Sequence, residues 1–191
     1  MALVDRVKNI LLKPREEWRV IDAEPTTPVE LYKGYVIPLA AIGPVASAIG
    51  ALVFGYRGFG MTYRPPVGTV LSSALVTYLL TLGGVYVLAL IIDALAPNFG
   101  GTQNQVQALK VAAYSSTASW VVGVFGLIPT LSVLGILGLY SLYLLYLGMP
   151  VLMKAPAEKA MGYATVVIIA AIVLFLVIGL VAGTFMQSGL T

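Results

Sequence analysis

AAYSSTASWVVGVFGLIPTLSVLGILGLYSLYLLYLGMPVLMKAPAEKAMGYATVVIIAAIVLFLVIGLVA, residues 112–182, holds three long apolar blocks. A tight break at Pro129 parts the first two, and a short basic turn from Lys154 to Lys159 parts the last two. A helix needs about 20 apolar residues to cross a hydrocarbon core. No soluble fold has use for three such blocks in succession, so the stretch reads as three passes through a bilayer.

Composition extends that reading to the whole chain. Of 191 residues, 59% are hydrophobic and only 10% charged, with a mean hydropathy of +0.95. A soluble domain carries about 25% charged residues. Cysteine is absent, which removes disulfides and thiol chemistry; histidine is absent too, which removes the commonest general base and transition-metal ligand. The first apolar run, Ile10–Leu12, is far too short for the core of a signal peptide.

Upstream of the three blocks, two further spans are expected. Thr27-Pro-Val-Glu30 starts a helix, with Thr27 as cap, Pro28 at the first helical position and Glu30 reaching back. That helix runs on as a first span near 35–55, with Pro38 and Pro44 kinking it. Tyr56–Pro66 reads as a loop, and a second span covers about 68–95, with Gly83-Gly84 allowing close approach of a neighbour or a bend. Thr102-Gln-Asn-Gln105 repeats the capping pattern before a third span near 108–128. The fourth and fifth fall near 131–153 and 162–186. The fold class is therefore all-α: a polytopic membrane protein of five transmembrane helices, residues 34–191, preceded by a short amphipathic helical extension, residues 1–33.

The extension holds six of the eleven basic residues and six of the eight acidic ones. Leu3, Val7, Ile10 and Leu11 fall at helical spacing, so this helix lies in the headgroup layer or packs on the underside of the bundle. Trp18 is a candidate interface anchor. With the N-terminus inside, five spans place nine basic residues on the inner side and two, Arg57 and Arg64, on the outer side. That bias predicts a cytoplasmic N-terminus and an external C-terminus.

These residues resemble the YIP1 domain family, in particular its bacterial members. The likeness begins with KPREEWRVIDAEPTTPVELYKGYVIPLAAIGP, residues 13–44, and is densest in ALKVAAYSSTASWVVGVFGLIP and GLYSLYLLYLGMPVLMKAPAEKAMGYATVV. The resemblance implies five spans and an exposed cytosolic N-terminus. Eukaryotic members of the family act in vesicle traffic and associate with small Rab-type GTPases. It points to a non-enzymatic protein of a bacterial inner membrane that recruits or organises protein partners or lipid at its cytoplasmic face.

Several residues carry chemistry worth weighing. Asp93 is the lone acid between Glu30 and Glu158, near the inner end of the second span. A carboxylate there normally finds a partner, and Lys110 at the same depth suggests an ion pair, or alternatively a polar path in a small channel or transporter. Gln107, Lys110, Tyr114, Thr117 and Val121 lie along one stripe of the third span, the pattern of hydrogen bonding between helices. Tyr140, Tyr143 and Tyr146 recur every three residues and read as core packing. Gly179 and Gly183 form a GxxxG that serves contact within the bundle or a homo-oligomer. No glycine loop suits a nucleotide, no carboxylate cluster suits a metal, and the extension is too nearly neutral for nucleic acid; no cofactor is expected.

Overall fold

The computed structural model describes residues 2–58 and 61–187. In chain order it consists of α1 (Leu3–Leu12), α2 (Pro14–Ala23), α3 (Pro28–Phe54) and a small hairpin of β1 (Tyr56–Gly58) and β2 (Met61–Tyr63). Then come α4 (Val67–Leu95), α5 (Gln105–Ser115), α6 (Thr117–Val122), α7 (Tyr140–Leu152) and α8 (Ala157–Gln187). Two 3-10 helices, Gly123–Leu127 and Pro129–Leu139, join α6 to α7, the second running straight on into it. The expected loop after the first span thus contains an antiparallel ladder that pairs Tyr56 with Tyr63. The residues beyond 187, expected outside the membrane, lie outside the described part of the chain.

Local sequence explains the element ends. The Thr27 side chain accepts from the Glu30 amide at 3.3 Å, and the Glu30 carboxylate accepts from the Thr27 amide at 2.9 Å, the expected capping box. Within α3 the backbone widens to a π-turn at Tyr32–Val36 and breaks at Ala41, on either side of Pro38. A proline supplies no amide donor, so the i−4 ladder cannot run unbroken here. At the next helix the cap moves: Asn104, not Thr102, accepts from the Gln107 amide at 3.1 Å, and α5 begins at Gln105.

Four helical stretches are long and apolar enough to cross a membrane: Pro28–Phe54, Val67–Phe99, Pro129–Leu152 and Ala157–Val181. They expose large apolar side chains outward, among them Leu71, Leu75, Leu79, Leu176 and Leu180. With no polar partner for these faces, hydrocarbon is their solvent, and the chain is an integral membrane protein. The α5–α6 segment differs. Every residue from Ala108 to Ser115 is buried, so α5 forms the axis about which the other helices pack.

Packing is uneven along that axis. Near the extension the bundle is solid: Ile92, Leu109, Leu144, Met149, Tyr163 and Val167 are 1% exposed or less. Farther along, Gly84 lets α8 approach α4, since a Cβ at that position would lie 2.7 Å from Ile178 Cδ1. Toward the far end the helices part around two cavities, of about 470 and 530 Å³, that open to the outside of the bundle. The tyrosine stripe is not core as expected. Tyr143 and Tyr146 are 42% and 39% exposed, while Tyr140 donates its hydroxyl to the Leu11 carbonyl at 3.1 Å.

Candidate functional site

The structure gathers charge where the extension meets the bundle. On α1, Arg6 lies on the same face as Ile10, one turn apart; on α2, Glu17, Trp18 and Ile21 share another face, and Glu24 caps its end. Folding α1 and α2 apolar face inward therefore carries an arginine and a carboxylate inward as well. The Arg6 guanidinium bonds both Glu17 and Glu24, and its carbon sits 5.6 Å from the Tyr114 ring centroid. Arg6 and Glu17 are only 5% and 4% exposed. Burial pushes the Arg6 pKa down, but the Glu24 hydrogen bond and the surrounding negative potential outweigh it, and the net movement is upward. The guanidinium therefore stays charged, as a buried pair requires.

The end of α2 is clasped by the bundle. The last carbonyls of a helix lack intrahelical donors and accept readily from lysine. Lys110, reaching from α5, donates to the Ile21 carbonyl at 2.8 Å and the Glu24 carbonyl at 2.6 Å. Gln107, one turn earlier, donates Nε2 to Asp22 Oδ1 at 3.1 Å. The Asp22 carboxylate also accepts from Lys154, which stands at positive φ in the turn after α7. Three side chains from two parts of the bundle, α5 and the turn after α7, thus hold one helix end.

Trp18 is not an interface anchor. It is fully buried, and its indole lies so close to Gly148 of α7 that a Cβ there would sit 2.6 Å from Trp18 Cζ2. Tyr114 meets the same indole edge-on at 6.4 Å. Ile10, Trp18 and Ile21 thus pack on protein, as the packing alternative expects, while Val4, Leu12 and Val20 remain exposed. Tyr114 continues inward to Tyr35 at 4.5 Å, and Tyr35 shares a 2.7 Å hydrogen bond with Thr117. The stripe Gln107, Lys110, Tyr114, Thr117 therefore holds helices together, three of its four members through the extension or a neighbour of it.

The expected Asp93–Lys110 ion pair does not form. Lys110 spends its donors on the extension, while Asp93 Oδ1 is buried without a hydrogen-bond partner among the described residues. Asp93 lies instead within electrostatic reach of Tyr163, whose hydroxyl donates to the Ile92 carbonyl and whose ring stacks on Phe99 at 5.1 Å. The two residues share a depth in the sequence but face different neighbours. Gly179 and Gly183 sit at no helix crossing among the described residues, for a Cβ built on either meets no neighbouring element within 4 Å. Besides Gly84 and Gly148, glycines at close crossings include Gly50, Gly123 and Gly126, where α3 meets the 3-10 segment.

Arg6, Glu17, Asp22 and Lys154 were not singled out from the sequence. A signal for the first two exists: each is a charge on the otherwise apolar face of its helix. Asp22 and Lys154 carry no such mark, since their partners lie in distant parts of the chain. Among the described residues no group of three or more acids could hold a metal ion.

No curated protein and no solved structure matches the chain. The Yip1 domain, by contrast, matches residues 8–178, from the middle of α1 to late in α8. The match takes in the docked extension, the buried axis and all four long apolar helices, so the chain belongs to the Yip1 domain family.

Proposed function

We propose that this Yip1-type protein is a non-enzymatic scaffold that recruits or organises protein partners, or lipid, through the face built by its extension. The carrying observation is the docking of α1 and α2 onto the bundle by Arg6, Trp18 and Lys110. A helix pair held this way presents its opposite face, with Lys8, Lys13, Arg15, Glu16 and Arg19 exposed, as a surface of fixed shape. Preordering lowers the entropic cost of binding, which suits recognition of a protein. By family resemblance, a small GTPase-like protein is the partner class to seek.

The buried axis supports a fifth crossing. Helices α5 and α6 with the following 3-10 turn cover about 35 Å, enough to span hydrocarbon. Their polar groups face protein rather than lipid, which lowers their apparent hydropathy without barring them from a membrane. Five crossings put the basic extension in the cytoplasm and the C-terminus outside, in keeping with a bacterial inner membrane. A transport path through Asp93 and Lys110 draws no support from their separate surroundings.

The test is crosslinking from exposed α2 positions in native membranes, followed by identification of what is captured. Arg15→Glu with Arg19→Glu should abolish capture while leaving the fold intact. Capture that is unchanged by the double substitution would refute a role for this face. A reporter fused after Thr191 should be active only outside the cytoplasm.

A further inference from the structure

The parted end of the bundle carries a second feature, remote from the extension. The two cavities share Ser47, Ser119 and Phe175 in their walls, so they are lobes of one chamber. It lies between α3, α4, the α6 region, the start of α7 and α8. One wall is a ladder on α4: Thr69, Ser73, Thr77 and Thr81 recur every four residues and all face the same lobe. No charged side chain lines either lobe among the described residues. The chamber is not sealed, since Phe175 is 46% exposed.

Two hydroxyls at the inner floor have a fixed polarity. Thr81 donates to the Thr77 carbonyl at 2.8 Å and Ser116 to the Ala112 carbonyl at 2.8 Å. A hydroxyl has one proton and two lone pairs, so these two offer the chamber acceptors only. Ser119 beside them bonds the Gly138 carbonyl at 3.1 Å and shares a 2.9 Å hydrogen bond with the Ser141 hydroxyl. Beneath them, Trp120 and Tyr35 stand 6.4 Å apart and the solid half of the bundle begins. The chamber is therefore a blind pocket, not a conduit. Apolar side chains such as Val122, Ile172 and Leu176 line the other lobe.

We propose that this chamber binds a neutral lipid whose headgroup is a free hydroxyl, of the diacylglycerol class, drawn from the leaflet opposite the extension. A hydroxyl head donates to the acceptor floor and accepts from Thr69, Ser73 or Thr77 of the ladder. The absence of charge in the walls disfavours a phosphate or ammonium head, whose burial without a counter-charge is costly. The apolar lobe takes acyl chain. Each lobe falls within the usual range of small-molecule sites, about 300–1,000 Å³. The inference stands apart from the proposed recruitment role, because it uses the other end of the molecule.

The experiment uses the full chain in phosphatidylcholine nanodiscs with labelled 1,2-dioleoylglycerol and its 3-O-methyl ether, which lacks the donor proton. The glyceride should bind saturably and the ether at least tenfold more weakly. Thr77→Val, nearly isosteric, should weaken glyceride binding roughly three- to tenfold by loss of one hydrogen-bonding hydroxyl. Ser73→Phe, which fills the lobe, should abolish it. Equal binding of glyceride and ether, binding indifferent to Thr77→Val in a folded protein, or no saturable binding would each overturn the proposal. Capture at the α2 face is unaffected by any of these outcomes, so the two readings fail separately.

Discussion

Replacing Arg6 by alanine isolates the charge cluster as the latch of the extension. Glu17 would then remain in the core with 6% of its side chain exposed and no counter-charge. Removing one partner of a buried pair costs about 3–5 kcal/mol. Glu24 adds less than about 1 kcal/mol, because its side chain is 43% exposed and water takes over from the guanidinium. Opposing release are Ile10, Trp18 and Ile21, each 1% exposed or less. Their burial stabilises docking by about 1.5–3 kcal/mol each, roughly 5–9 kcal/mol together. The extension should therefore stay docked on average while its opening becomes much easier. At about 1.4 kcal/mol per factor of ten, hydrogen exchange over residues 3–23 should accelerate a hundred- to several-thousand-fold. Amides in the solid half of α4 should not change. The double variant Arg6→Met with Glu17→Leu, which replaces the pair by apolar groups, should restore most of the protection. Two results would refute the reasoning: unchanged exchange in the single variant, or a double variant as labile as the single.

Other substitutions probe the same joint and its surroundings. Trp18→Ala should cost about 3–5 kcal/mol and loosen the extension, read by the same exchange measurement. Gly148→Ala places a methyl against the indole, so it should displace Trp18 at a cost of about 1–3 kcal/mol and shift its fluorescence. Lys110→Met strips the donor from the Ile21 and Glu24 carbonyls and should destabilise docking by about 1–3 kcal/mol, more at the end of α2 than in α1. Gly179→Leu and Gly183→Leu meet open space and should alter the stability of the monomer by no more than about 0.5 kcal/mol in thermal unfolding. A change in oligomer size on those substitutions would place the pair between copies of the chain.

Much of the architecture was legible in the residues themselves. Apolar block length identified the long helices, and the Thr27–Glu30 capping box set the start of α3 to the residue. The hydroxyl ladder on α4 was legible too, as a repeat of four, but a serine or threonine in an apolar helix commonly bonds its own backbone and draws no notice. What misled was depth. Asp93 and Lys110 sit at matching distances from the ends of their segments, yet a pair also requires facing directions, and helix rotation about its axis is set by packing with neighbours. The same limitation applied to Trp18: a tryptophan beside charges suits either a headgroup layer or a groove in protein, and only a glycine on α7, about 130 residues away, resolved the choice.

By itself the sequence determined which segments require hydrocarbon and how much helix they form, because hydrophobic transfer and backbone hydrogen bonding act locally along the chain. Tertiary structure alone decided that the extension docks on protein, that Lys110 serves α2 rather than Asp93, and that the bundle is solid at one end and parted around open cavities toward the other. Those outcomes depend on which side chains interdigitate across helices. Lipid is nearly as apolar as the core, so hydropathy cannot distinguish a face that meets a neighbour from one that meets acyl chains.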